Sequence, residues 1–206
     1  MNFVIILDFE LCALSLENMN LPNKLTILRI ILAVVFVFLV HLPGIIAKIL
    51  TLLVFSLAAL TDWFDGRIAK SRNQVTDFGK FMDPLADKVL VFSAFLSFLW
   101  MQLIAVWMVM VIIGRELIIT GLRMFALSKG KVLAASKGGK HKTVSQMIAI
   151  FIILASIIFK EVMKSSFFWH LLFDKVIYVA MLTTVILTLI SGASYLIDNR
   201  KLFYRE

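Results

Sequence analysis

From residue 27 to residue 197 the chain is a succession of apolar segments, with four aspartates in or beside them. The segments run at about 27–40, 45–60, 85–100, 103–119, 144–159 and 176–197. With 61% hydrophobic residues, against about 45–50% apolar in a soluble domain, the chain reads as an all-α integral membrane protein of six transmembrane helices. His41-Leu42-Pro43-Gly44 and Met101-Gln102 read as outer turns, and 160–175 as an outer connection of mixed charge. Basic residues gather in the other breaks: Arg67, Lys70 and Arg72 in 66–76; Lys129, Lys131, Lys137, Lys140 and Lys142 in 128–142; Arg200, Lys201 and Arg205 in the tail. That bias places both termini in the cytoplasm and accounts for the net charge of +8 without nucleic acid as a partner. The single cysteine, Cys12, excludes a disulfide framework.

Residues 1–18 lack the basic region and cleavage site of a signal peptide and are short for a span. They read as an upstream extension, with a short peripheral helix as the alternative, and Met19 as the start of a single domain over 19–206. Residues 20–29 read as a short amphipathic helix at the cytoplasmic interface, with a turn at Pro22 and Asn23 and basic residues at Lys24 and Arg29. Pro84 fits the third span only in its first turn.

The acidic stretch carries the chemistry. Asp62 and Asp65 are spaced i, i+3, and Asp83 and Asp87 i, i+4, and either spacing puts both carboxylates on one face of a helix. Charges at membrane depth usually face a polar cavity and mark a functional site. Four carboxylates suit hard divalent cations, Mg²⁺ above all, and two such ions can clamp a phosphoryl group. Gly66 and Gly79 remove side chains where a phosphate or nucleotide nears the backbone, Ala69 keeps the surface small, and Lys70 offers a cation to a pyrophosphate. The plainer alternative is structural ion pairing, or the transport site of a small cation carrier, although the paired halves common in carriers are missing from the sequence. The plainer alternative for Arg115 and Glu116 is an ion pair anchoring a helix end, the role favoured for Glu116.

Written out, the stretch is Asp62-x2-Asp65-Gly66-x2-Ala69-Lys70-x8-Gly79-x3-Asp83-x3-Asp87. It resembles the signature of the CDP-alcohol phosphotransferases at every position but one, Lys70 standing where that family has arginine. Lysine keeps the charge and loses the bidentate fork, so altered affinity is expected, with the chemistry retained. The resemblance implies that Asp62, Asp65 and Asp83 ligate one metal, and Asp83 and Asp87 a second. The pair would be Mg²⁺, with Mn²⁺ possible. It also implies that Asp87 is the general base toward an attacking hydroxyl, and that Gly66, Ala69, Lys70 and Gly79 bind the CDP diphosphate.

The acceptor is a separate question. A phosphorylated acceptor needs cations beyond the metals, and Arg115 and Arg123, eight apart, fall broadly on one helix face, with Lys140 and Lys142 following in the glycine-rich loop GGKHKT. The segments NLPNKLTILRI, GKFMDPLADK, GRELIITGLR and AASKGGKHKT resemble the bacterial phosphatidylglycerophosphate synthase branch of the family. That resemblance implies Arg115, Arg123 and Lys140, with Lys142 and Thr143, as the acceptor-phosphate residues. It implies CDP-diacylglycerol and glycerol 3-phosphate as substrates, a homodimer among membrane lipids, and an active site facing the cytoplasm of a bacterial plasma membrane. A sister activity with another acceptor, as in a cardiolipin synthase or an inositol-type enzyme, is the nearest alternative.

Overall fold

The computed structural model describes the backbone of residues 21–72, 77–128, 138–163 and 167–199, and the side chains of 27–61, 88–126, 142–163 and 167–199. These residues form six α-helices: α1 Leu21–His41, α2 Ile45–Arg72, α3 Asp77–Trp100, α4 Val106–Ser128, α5 Gly138–Val162 and α6 Phe167–Asp198. The all-helical expectation holds. α5 and α6 contain stretches long and apolar enough to cross a membrane, Lys142–Val162 and Phe167–Asp198; Ile27–His41, Ile45–Thr61 and Lys88–Trp100 are shorter apolar stretches. Every helix also turns large apolar side chains outward, among them Phe38, Ile46, Leu96, Met110, Ile148 and Ile190. Exposed apolar surface on this scale, beside two helices long and apolar enough to cross a bilayer, is compatible with a lipid surrounding.

The helices are longer than the apolar segments that announce them. Charged residues end the lipid-compatible part of a helix without breaking its backbone ladder, so 66–72, 138–142 and 167–175, expected as connections, are helical. Lys140 and Lys142 therefore stand in the opening turns of α5 and not in a loop. α1 runs without interruption through the expected interfacial segment; Pro22 lies in its first turn, where the missing N–H costs nothing. α3 begins at Asp77, which puts Pro84 in the helix interior, unable to donate to the carbonyl of Lys80.

Both turns expected between apolar segments are present, whereas Pro22 and Asn23, expected as a turn, lie within α1. Gly44, at φ 96°, takes a conformation that side-chain-bearing residues avoid, and its carbonyl accepts the first bond of α2 from Lys48 N–H at 3.3 Å. The Lys48 ammonium, buried, donates to the carbonyl of Val40 at 2.6 Å and so satisfies the C-terminal turn of α1. After α3, Leu103 N–H donates to Phe98 C=O at 3.0 Å and Gln102 N–H to Leu99 C=O at 2.9 Å. This is a Schellman cap, with Gln102 at φ 57° where glycine is usual.

The chain divides into two compact units, one of residues up to Phe38 with Leu53–Ser93, the other of Leu39–Leu52 with Ala94 onward. The first unit buries Ala33 and Phe36 of α1, Phe55 and Ala58 of α2, and Leu90 and Val91 of α3; Phe36 and Phe55 meet with ring centroids 5.7 Å apart. It also buries Arg29, at 2% exposure, which the sequence had placed at the membrane interface. In the second unit α6 packs against both α5 and α4. Its buried face repeats at helical spacing through Ile177, Met181, Thr184, Val185, Thr188, Ser191, Gly192 and Tyr195. Hydroxyls inside these apolar helices mostly bond back to the preceding turn, as Thr51 does to Ala47 at 2.8 Å and Ser156 to Ile152 at 2.7 Å. At the other end of α5 and α6, Phe159, Trp169 and Phe173 stack beside a Lys160–Asp174 ion pair.

Candidate active site

The acidic stretch lies in the first unit. Asp62, Asp65, Gly66, Ala69 and Lys70 fall on α2, and Gly79, Asp83 and Asp87 on α3, so each aspartate pair keeps the helical register that its spacing requires. The side chains of 62–87 lie outside the described residues, as does that of Lys140. Four carboxylates at i, i+3 and i, i+4 positions of two helices in one unit are a donor set that fits a hard divalent cation.

The second unit holds a cluster of opposite charge, and here the side chains are described. Glu116 on α4 accepts through Oε2 from its neighbour Arg115 Nη1 at 3.3 Å and from Lys142 Nζ of α5. Arg115 Nη2 donates to Ser191 Oγ of α6 at 3.0 Å. α6 thus meets α4 at the Arg115 guanidinium, and α5 meets α4 at the Glu116 carboxylate. The charged side chains are largely withdrawn from solvent, with 11% exposure for Arg115, 6% for Lys142 and 16% for Glu116. Arg115 Nε is buried with no hydrogen-bond partner among the described residues. Gly192 lies beneath the same side chain: a Cβ there would stand 3.1 Å from Arg115 Cγ and 3.3 Å from its Nε.

Of the sequence-selected cations, the structure brings Arg115 and Lys142 together through Glu116, whose expected ion pair with Arg115 is present. Thr143 follows on α5, half-buried, while Arg123 is exposed, two turns further along α4, and takes no part in the described cluster. Local bonds fix the frame, Thr120 Oγ1 donating to Glu116 C=O at 2.8 Å and Ser145 Oγ to Lys142 C=O at 2.7 Å. Ser191 and Gly192 escaped the sequence reading. Their signal was the row of polar or small positions 184, 188, 191, 192 and 195 inside an otherwise apolar helix.

The carboxylate motif thus falls in one unit and the Arg115–Glu116–Lys142 cluster in the other. The CDP-alcohol phosphatidyltransferase pattern matches residues 19–190, and the chain belongs to that family. It is 38% identical over 192 residues to the CDP-diacylglycerol–glycerol-3-phosphate 3-phosphatidyltransferase of Bacillus subtilis, an alignment covering 87% of this chain and 95% of the relative. Proteins of the same name from Salmonella paratyphi A and Pectobacterium atrosepticum are 44% and 42% identical over 139 and 143 residues, covering 64% and 66% of this chain and 74% and 76% of the relatives. Enzymes of this family generally work with divalent metals.

Proposed function

We propose that the chain transfers the phosphatidyl group of CDP-diacylglycerol to sn-glycerol 3-phosphate, giving phosphatidylglycerophosphate and CMP. The observation that carries this reading is the buried Arg115–Glu116–Lys142 cluster, in a chain whose Bacillus relative of that name aligns over nearly its whole length. A neutral acceptor has no use for two desolvated cations, whereas a phosphate monoester matches a guanidinium and an ammonium held close together.

In this mechanism Asp62, Asp65 and Asp83 would hold one Mg²⁺, and Asp83 and Asp87 would hold a second. Bound there, the metals supply charge neutralisation of the diphosphate. Lys70 pairs with the diphosphate, and Gly66, Ala69 and Gly79 let it approach the helices. Arg115 and Lys142, with Lys140, Thr143 and Arg123 contributing, bind the acceptor phosphate and orient the 1-hydroxyl. Asp87 takes the proton of that hydroxyl as its oxygen bonds to the phosphatidyl phosphorus. The bond from that phosphorus to the CMP oxygen breaks, and CMP leaves. Positioning and electrostatics supply most of the rate in such a transfer. The protein spans the bacterial cytoplasmic membrane six times, with both termini and this chemistry on the cytoplasmic side, as a single domain from residue 19.

The test is CMP release by protein purified in detergent, with CDP-diacylglycerol, a divalent metal and one acceptor at a time: glycerol 3-phosphate, phosphatidylglycerol, inositol or inositol phosphate. Release with glycerol 3-phosphate alone, abolished by Asp87→Asn, is the expected result. Release with another acceptor would move the chain to a sister activity, and release with none would return the acidic stretch to a transport role.

A further inference from the structure

Arginine 115 carries a flexible side chain, and a flexible cation recognises a phosphate poorly unless something fixes its plane. Its neighbour Glu116 is ill placed to do so: adjacent residues on a helix do not face each other, and the contact is long at 3.3 Å. The fixing group lies 76 residues away, on α6. Ser191, itself buried, accepts from Nη2 at 3.0 Å and holds one edge of the guanidinium. Gly192 offers bare backbone to the stem of the same side chain: Arg115 Cγ, Nε and Cδ lie 3.1, 3.3 and 3.8 Å from where its Cβ would be, so an added carbon would push the stem aside by a few tenths of an ångström. At Gly114 and Gly121 of α4, by contrast, a Cβ would meet nothing within 4 Å.

Resting on the acceptor assignment above, we infer that Ser191 and Gly192 are positioning residues for glycerol 3-phosphate. They form a seat on α6 that aims the Arg115 guanidinium at the acceptor phosphate. Ser191 sets the direction of the fork and Gly192 sets how closely the stem approaches α6. Neither touches the acceptor, so both act wholly through Arg115.

The experiment measures KM for glycerol 3-phosphate and, separately, for CDP-diacylglycerol in mixed micelles. The variants are Ser191→Ala, Ser191→Thr, Gly192→Ala, Arg115→Ala and the double variant Arg115→Ala/Ser191→Ala, with Gly121→Ala as control. KM does not depend on the fraction of protein that folds, so partial misfolding does not mask the result, and Ser191→Ala decides the matter if Gly192→Ala gives no active protein. Ser191→Ala should raise KM for glycerol 3-phosphate about ten-fold, the low end of what one hydrogen bond to a charged group is worth, and Gly192→Ala should raise it too by displacing the Arg115 stem. KM for CDP-diacylglycerol should stay at the wild-type value. Ser191→Thr, which keeps the hydroxyl, should restore the acceptor KM, and Ser191→Ala should add nothing once Arg115 is gone. A raised KM in Arg115→Ala with wild-type values for both α6 variants overturns the seat and keeps the acceptor assignment. An equal effect of Ser191→Ala with and without Arg115 also overturns the seat. An unchanged KM in Arg115→Ala overturns both.

Discussion

Replacing Glu116 by glutamine separates charge from shape at the cation cluster. The side chain keeps its size and one acceptor oxygen, but Lys142 and Arg115, 6% and 11% exposed, lose the anion between them. Removing one partner of a buried ion pair costs about 3–5 kcal/mol. Glu116 retains 16% exposure and glutamine still accepts one bond, so about 2–3 kcal/mol is the expected loss, or roughly 5–10 °C in Tm for a chain of this size. The same substitution should strengthen anion binding. In the wild type an incoming phosphate must share its cations with a carboxylate already there; in the variant it supplies the missing charge. If phosphate recovers half of the lost stability, its affinity rises about ten-fold by linkage. Thermal unfolding in detergent, titrated with inorganic phosphate, measures both effects. A steady-state KM for glycerol 3-phosphate checks them in the working enzyme. A variant with wild-type Tm and weaker phosphate binding would refute the reasoning, because Glu116 would then be part of the anion's binding surface and not its competitor.

Further outcomes follow from the backbone and from buried polar atoms. Gly44→Ala should lower stability by about 1–2 kcal/mol because φ is 96° there, and Gln102→Gly should raise it by about 1 kcal/mol by relieving the left-handed residue of the cap; thermal unfolding checks both signs. Lys48→Met removes the donor to the Val40 carbonyl, and loss of about 1 kcal/mol is expected, the desolvation of the lysine offsetting part of the hydrogen bond; an unchanged Tm would mean the two terms cancel. The hydroxyls of Thr188 and Tyr195 are buried with no hydrogen-bond partner among the described residues, so Thr188→Val and Tyr195→Phe should each stabilise by up to about 1 kcal/mol. A loss of stability in either would reveal a bridging water.

Much of this architecture was legible in the sequence because lipid compatibility and turn chemistry are local. The apolar runs mark helices, and Pro43-Gly44 and the break at Met101-Gln102 mark turns. Helix length was not legible. Hydrophobicity reports where a helix meets lipid, whereas the backbone ladder continues for as long as no residue breaks it, which is why Gly138 to Lys142 and Phe167 to Lys175 are helical. Nor does Pro84 end α3, although its ring and missing N–H make it an unfavourable interior residue. Arg29 misled for a related reason: a basic residue at the edge of an apolar run looks interfacial, and only tertiary packing shows that it is buried. Within the candidate site, Arg115, Lys142 and the Arg115–Glu116 pair could be picked out by residue type. The α6 contribution could not, because serine and glycine in a membrane helix are ordinary packing residues until the guanidinium that lies on them is seen.

The seat on α6 also bears on how the protein is made. Arg115 belongs to the fourth of the six described helices to leave the ribosome, and Ser191 and Gly192 to the last. While α4 and α5 are in place without α6, Lys142 and Glu116 can already balance charge, but the guanidinium has no hydroxyl to set its plane. A nascent chain stopped short of residue 191 therefore carries the charged members of the described cluster without their alignment. On the acceptor assignment proposed above, competence to orient an anion arrives with α6, the last of the described helices.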